Sequence, residues 1–188
     1  MLCAVILALL IRSFVVQAFH IPSGSMIPTF LVGDRVLVSK FSYGIRNPFN
    51  NEVIFETGQP MRWDVVIFKF PEDPEVDFVK RVVGLPGEEV LIREGLIFIN
   101  GEMVDDPHGH FDMRNGPYRN FGPVKVPENK YFMMGDNRDF SNDSRVWGFV
   151  DKSLLRGKAW RLYWSWDSDR KISFWKRLRT SRILLRIE

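Results

Sequence analysis

The sequence predicts a mainly β protein, its antiparallel β-sheets forming a partly closed barrel or sandwich, preceded by one N-terminal transmembrane helix. Three observations carry the prediction. Short β-branched and aromatic runs recur from residue 35 onward, turn-forming residues separate most of them, and no helical pattern of 12 residues occurs between residues 35 and 164. At 188 residues the chain is expected to hold one globular unit.

The first element is an apolar leader. Residues 1–11 carry no side-chain charge, and beyond Arg12 the run Phe14 to Phe19 is apolar except at Gln17. Twenty helical residues reach about 30 Å, one hydrocarbon thickness. A cleavable leader would place basic residues ahead of its apolar run, whereas this run starts directly after Met1, so residues 1–20 are expected to form an uncleaved membrane anchor. Arg12 lies past the middle of that run and would have to reach an interface.

Residues 21–165 are expected to form the β-rich domain. Its strand-like runs are Val36 to Val38, Val53 to Phe55, Val65 to Phe68, Phe78 to Val83, Val90 to Ile92, Leu96 to Ile99, Tyr131 to Met134 and Trp160 to Trp164. Glu94-Gly95 and Asn100-Gly101 flank one of these runs and are strong hairpin signals. Residues 105–129, rich in Asp, His, Gly, Pro and Asn, read as a long loop. Residues 166–188 form a basic, aromatic tail.

Composition removes several function classes. A hydrophobic fraction of 45% with 26% charged residues and mean hydropathy −0.12 excludes a disordered chain and a polytopic membrane protein. The single Cys3 excludes an internal disulfide framework and argues against a thiol nucleophile. The net charge of +3 is unevenly placed: residues 165–188 hold seven Lys/Arg against three acids, while the remaining 19 cations and 20 anions nearly cancel. Basic residues interleaved there with Trp166, Phe174 and Trp175 suit lipid headgroups better than a nucleic acid, although a solvated terminal segment accounts for the same composition.

Three segments carry chemistry. In Ile21-Pro22-Ser23-Gly24-Ser25-Met26-Ile27-Pro28-Thr29, two prolines restrict the backbone on either side of Gly24, which mounts the Ser25 hydroxyl on a restrained loop. Alone, the segment reads as an ordinary linker. In Asp77 to Glu88, strand alternation puts Lys80 in an apolar row with Phe78 and Val82 and puts Arg81 on the other face with Val79 and Val83. Burial would lower the Lys80 pKa toward that of a neutral base; a strand-edge lysine reaching solvent is the simpler alternative. The third segment, Gly135 to Arg145, contains three acids and two arginines, suiting a loop fixed by its own hydrogen bonds. Its Asp139, Ser141 and Asp143 imitate a calcium loop, but Ser144 replaces the required Gly and Val150 the bidentate Glu, so no metal is expected. His20 reads as an interfacial residue, and His108 and His110 as members of a solvated loop.

In this order, Pro22 to Thr29, Lys80 to Gly87 and Gly135 to Arg145 resemble the bacterial type I signal peptidases, the Ser/Lys-dyad leader peptidase family, from the end of the leader to Asp167. The resemblance implies a signal-peptidase-like fold and a membrane-bound serine endopeptidase that removes N-terminal signal peptides after Ala-x-Ala sites, with no cofactor. It assigns Ser25 as nucleophile, Lys80 as general base, and the Ser23 hydroxyl with the Ser25 N–H as oxyanion hole. Ser141 would bond the Lys80 amine, and Asp143, Arg145 and Arg81 would form an orienting ion network. Ile21, Met26, Phe30, Val36, Ile67 and Val79 would line shallow substrate pockets.

The implied partners are preprotein signal peptides, the lipid bilayer and a nearby secretion translocon, with no nucleic acid. The implied location is the bacterial cytoplasmic membrane, single-pass, catalytic domain on the extracytoplasmic face. Two departures are visible: the chain starts inside the apolar run, and the stretch from Lys80 to Gly135 leaves little room for the large accessory β-domain of some relatives. Three other readings fit parts of the pattern: an organellar processing peptidase, a self-cleaving repressor domain with a similar Ser/Lys pair, and an inactive peptide-binding β module.

Overall fold

The computed structural model describes residues 16–46, 53–111, 116, 118–167 and 173–187. They form a mainly β protein whose central sheet has seven antiparallel strands in the order β1-β2-β13-β5-β6-β11-β12. These are β1 Val16–His20, β2 Asp34–Ser39, β5 Val65–Phe70, β6 Asp73–Gly84, β11 Lys130–Met134, β12 Val150–Asp151 and β13 Leu155–Ser165. Register shifts in the pairings of β13 with both neighbours mark irregular positions where a sheet bends and twists.

A four-stranded antiparallel sheet, β10-β7-β8-β9, comprises β7 Glu89–Arg93, β8 Leu96–Ile99, β9 Glu102–Val104 and β10 Phe121–Lys125. The compact stretch between Lys80 and Gly135 thus carries a small sheet of its own. Glu94 and Gly95 take φ of 53° and 84°, and Asn100 and Gly101 take 52° and 84°, the left-handed pairs that tight hairpins need. A ribbon of β3 Ile45–Arg46 and β4 Val53–Phe55 completes the strands. The one α-helix among the described residues, α1 Ser144–Trp147, is a single turn capped by the Asp143 carboxylate, which accepts from Arg145 N–H.

Each expected run lies within a strand, but two boundaries change. Residues 105–129 are not wholly loop, because Phe121–Lys125 is β10. Gly122 and Pro123 obscured it; both are tolerated because the strand lies at a sheet edge and its pairing shifts register between Phe121 and Val124. Residues 16–20, assigned above to the anchor, are β1, paired with β2 from Val16↔Ser39 to His20↔Arg35. The rest of the expected anchor, residues 1–15, lies outside the described residues, and no described helix is long and apolar enough to cross a membrane.

Three apolar clusters hold the sheets. Ile21, Met26, Phe30, Val36, Ile67 and Leu162 lie under the Ser25 loop. Val66, Phe68, Val82, Tyr131 and Met133 pack on the next stretch of sheet, and Val83, Val90, Ile97 and Phe132 join the two sheets. Full burial of each such side chain contributes about 1.5–3 kcal/mol before entropy is counted. The tail also folds back: Leu184 N–H donates to Leu162 C=O, Ile187 N–H to Trp160 C=O, and Ile187 is buried in the first cluster. Arg179 and Arg182 turn inward to Asp34, so these two cations are not part of a headgroup-facing surface.

Candidate active site

Lys80 reaches its position because β6 changes environment along its length. Residues 73–77 are exposed, whereas residues 80–84, flanked by β5 and β11, are buried. Lys80 is only 3% exposed, and Phe78 and Val82, two residues to either side, belong to an apolar cluster. Its Nζ lies 5.5 Å from the Phe78 ring centroid. Burial is the main cause that lowers the Lys80 pKa to about 8, aided by the Arg145 guanidinium and opposed by Asp143 and Asp136. The strand-edge alternative is therefore set aside.

The Ser25 loop arrives from the opposite side. β1 ends at His20, Ile21 inserts into the core, and the chain turns through Gly24 to Phe30 with Phe30 N–H donating to Met26 C=O. Asn137 ties this turn to the polar loop, donating its backbone N–H to Ser25 C=O at 3.1 Å and its side-chain amide to Gly24 C=O at 3.1 Å. Lys80 Nζ and Ser25 Oγ are thereby 2.6 Å apart across 55 positions of sequence. With the amine neutral, the hydroxyl donates across that separation and the nitrogen lone pair can take its proton. The Ser25 N–H has no partner among the described residues, and Ser23 is exposed at the rim of the same cleft.

Two buried forks stabilise the surroundings. Arg81 donates through Nε and Nη2 to the two oxygens of Asp136, each at 2.8 Å, and through Nη1 to Trp63 C=O at 2.7 Å. Thr29, from the Ser25 loop, donates to the same Asp136 at 2.6 Å. Arg145 forks onto Asp143 at 2.8 Å twice and donates to Arg138 C=O at 2.6 Å, while Asp143 also accepts from Gly135 N–H at 3.0 Å. The expected network of Asp143, Arg145 and Arg81 thus lacked a member. Asp136 takes the Arg81 fork and ties strand, Ser25 loop and polar loop together, and one acid among three in a loop gave no sign of a partner 55 residues away.

Ser141 departs from expectation. Its Oγ is buried without a hydrogen-bond partner, and the expected bond to the Lys80 amine is not formed. The hydroxyl instead packs on Gly135. A Cβ at Gly135 would fall well inside contact distance of both Ser141 Oγ and the Ser25 carbonyl oxygen, so glycine sets how closely the two loops approach. Gly135→Ala is expected to lower turnover at Ser25 by about 100-fold, because a displacement near 1 Å at a reacting centre has that effect. Steady-state kinetics, with circular dichroism verifying the fold, measure it; unchanged kcat would contradict the spacer role.

The 106–110 segment is tied down by hydrogen bonds while Pro107 and His110 stay exposed. Asp106 lies 2.7 Å from Arg138, His110 N–H donates to Asp136 C=O, and Arg138 N–H donates to His110 C=O. The His108 ring sits 6.1 Å from that of Trp63, and burial, then the Arg81 guanidinium, lowers its pKa. Of the expected pocket residues, Ile21, Ile67 and Val79 line the cleft of about 470 Å³ that holds Ser25 and Lys80, together with Phe19, Phe78 and Phe140. Met26, Phe30 and Val36 do not line it; they are fully buried and back its floor within the first cluster.

The chain is similar to known proteins over most of its length. A family model described as signal peptidase, peptidase S26, matches residues 1–164. Signal peptidase I of Pseudomonas fluorescens is 42% identical over 195 residues, covering 85% of this chain and 69% of that one. Probable signal peptidase I-2 of Synechocystis sp. is 40% identical over 164 residues, covering 87% and 70%. A crystal structure of signal peptidase I from Enterococcus faecalis overlaps in part, with 30% identity and TM-score 0.46, covering 53% of this chain and 96% of that one.

Proposed function

The chain belongs to the signal peptidase family, peptidase S26, serine peptidases that remove signal peptides, and from that premise we propose that Ser25 is its nucleophile and Lys80 its general base. One observation carries the assignment: an amine with pKa about 8, buried in the cleft, 2.6 Å from a hydroxyl on a pinned loop. At pH 7 such an amine is neutral in about a tenth of molecules, against roughly one in three thousand for an ordinary lysine. Burial thus chiefly supplies the basic form that histidine provides in other serine peptidases.

Ser25 Oγ adds to the carbonyl carbon of the scissile peptide bond while its proton passes to Lys80 Nζ. The oxyanion accepts from the Ser25 N–H, and the exposed Ser23 hydroxyl is the second donor. Collapse breaks the C–N bond, and the Lys80 ammonium returns the proton to the departing amine. Water then gives a proton to Lys80 and its oxygen to the acyl carbon, the acyl–Oγ bond breaks, and Lys80 returns the proton to Ser25 Oγ as the signal peptide leaves with its new carboxylate.

Specificity follows from the shallow apolar lining. Ile21, Ile67 and Val79, backed by Met26, Phe30 and Val36, leave room for small side chains such as Ala one and three positions before the cut and repel larger ones sterically. The exposed first half of β6 and the outer edge of β1 border the cleft, a setting in which an extended peptide can add main-chain hydrogen bonds. The apolar leader and the family's chemistry support a single-pass anchor in the bacterial cytoplasmic membrane with this domain on the extracytoplasmic face, near the translocon that delivers its substrates.

Incubating the full chain with an Ala-x-Ala preprotein and sequencing the new N-terminus tests the reading. The new end is expected directly after the second small residue. Because only the neutral amine acts, kcat/KM should rise about tenfold per pH unit up to about 8 and then level off. A profile flat from pH 6 to 9 would refute Lys80 as the base.

A further inference from the structure

A second cavity, of about 630 Å³, opens at the other end of the same strands. Val16, Ser39 and Lys158 are cross-strand partners there on β1, β2 and β13, whereas the His20↔Arg35 pair leads into the Ser25 loop. The two ends of β1 are about 13 Å apart at strand rise. The cavity is therefore separate from the cleft that holds Lys80.

Its wall is apolar, with Phe41, Val65, Ala159 and Trp160 among the lining residues, and its charge is unbalanced. Asp64 is buried and fully engaged: it accepts from the Tyr43 hydroxyl at 3.0 Å, from Met61 N–H at 3.1 Å and from Lys158 Nζ. That ion pair fixes the Lys158 ammonium at the cavity and leaves two of its N–H groups free. Arg186 also lines the cavity, exposed and with no side-chain partner among the described residues. Two cations against one committed carboxylate leave the site short of one negative charge, next to an apolar hollow. An amphiphile with an anionic head matches both features.

The surroundings identify the source of such a molecule. Phe41 and Trp160 are each 48% exposed at the mouth. The Thr57 hydroxyl, just beyond β4, donates to Phe41 C=O, so the β3–β4 ribbon adjoins the mouth and brings Ile54 and Phe55, 66% and 64% exposed. The chain enters β1 here after the largely apolar sequence of residues 1–15. Large exposed side chains of this kind are suited to the boundary of a bilayer.

We propose that this cavity binds one anionic phospholipid from the bilayer, its phosphate held by Lys158 and Arg186 and an acyl chain lying against Ala159 and Trp160. The inference rests on the membrane location proposed above, but its test needs neither a bilayer nor a substrate, so the two fail separately. Native mass spectrometry of the full chain, released from a non-ionic detergent, is titrated with phosphatidylglycerol or with phosphatidylcholine of equal chain length.

A single saturable adduct is expected with phosphatidylglycerol and several-fold less with phosphatidylcholine. Arg186→Gln is expected to weaken the adduct about fivefold, the effect of one interfacial cation, and Arg186→Lys to restore most of it. Phe41→Ser should weaken it independently. Both positions are exposed, so the variants fold. Equal adducts with the two lipids, an adduct indifferent to Arg186→Gln, or glycerol phosphate competing as well as intact lipid would each overturn the proposal.

Discussion

Ser25→Ala is expected to abolish signal-peptide cleavage, and Lys80→Met to reduce it by about ten-thousandfold or more while making the protein more stable. The activity loss follows from removing the nucleophile or the group that accepts its proton. The stability gain follows from burial. Holding the Lys80 pKa near 8 rather than 10.5 costs the folded state about 3 kcal/mol at neutral pH. Between about pH 8 and 10.5 the unfolded chain binds the extra proton, so the cost is fully present below 8 and fades as pH rises toward 10.5.

Met has similar length and no charge to desolvate. It forfeits the bond to Ser25, worth about 1 kcal/mol, which leaves about 2 kcal/mol of net stabilisation. Melting should therefore shift upward by roughly 4–8 °C at pH 7, with the difference shrinking by pH 10. Thermal denaturation across that range measures it. A Lys80→Met protein that still cleaves would refute the mechanism, and one that melts lower at pH 7 would refute the account of its base.

Asp136→Ala should have the largest effect on folding. It strands the Arg81 guanidinium without a carboxylate in a fully buried site and removes the acceptor of Thr29. Breaking a buried pair from one side costs about 3–5 kcal/mol. Urea midpoints measure the loss, and the double variant Arg81→Met/Asp136→Leu should recover part of it because no charge is then left unpaired. A loss under about 1 kcal/mol would show that the fork does not hold the loops. Cleavage should fall with folding, since Thr29 couples this pair to the Ser25 loop.

Much of this was legible beforehand, for identifiable reasons. Strand alternation places Lys80 in an apolar row, of which Lys80 and Val82 are buried and Phe78 partly so. The Glu94-Gly95 and Asn100-Gly101 turns were readable because left-handed conformations demand those residue types. Val16 to His20 was misread because a short apolar run following another has no period that separates strand from helix. The partner of Arg81 and the packing of Ser141 on Gly135 were not legible, since both depend on which loops meet in space. Gly135 could have signalled that meeting: a glycine at the start of a polar loop marks close backbone approach. Two cations of the basic tail are not available to a surface, because Arg182 pairs with Asp34 and Arg179 with Asp167 once the chain has doubled back.

β13, Leu155–Ser165, lies between β2 and β5, so it alone joins the two-stranded β1-β2 unit to the β5-β6-β11-β12 unit in the central sheet. Each unit can form as a hairpin assembly, and the loop contacts of Asn137 and Thr29 cross between them, but no backbone ladder joins them without β13. Ser25 belongs with the first unit and Lys80 with the second. The register of Ser25 against Lys80 therefore depends on β13, a strand that carries neither residue.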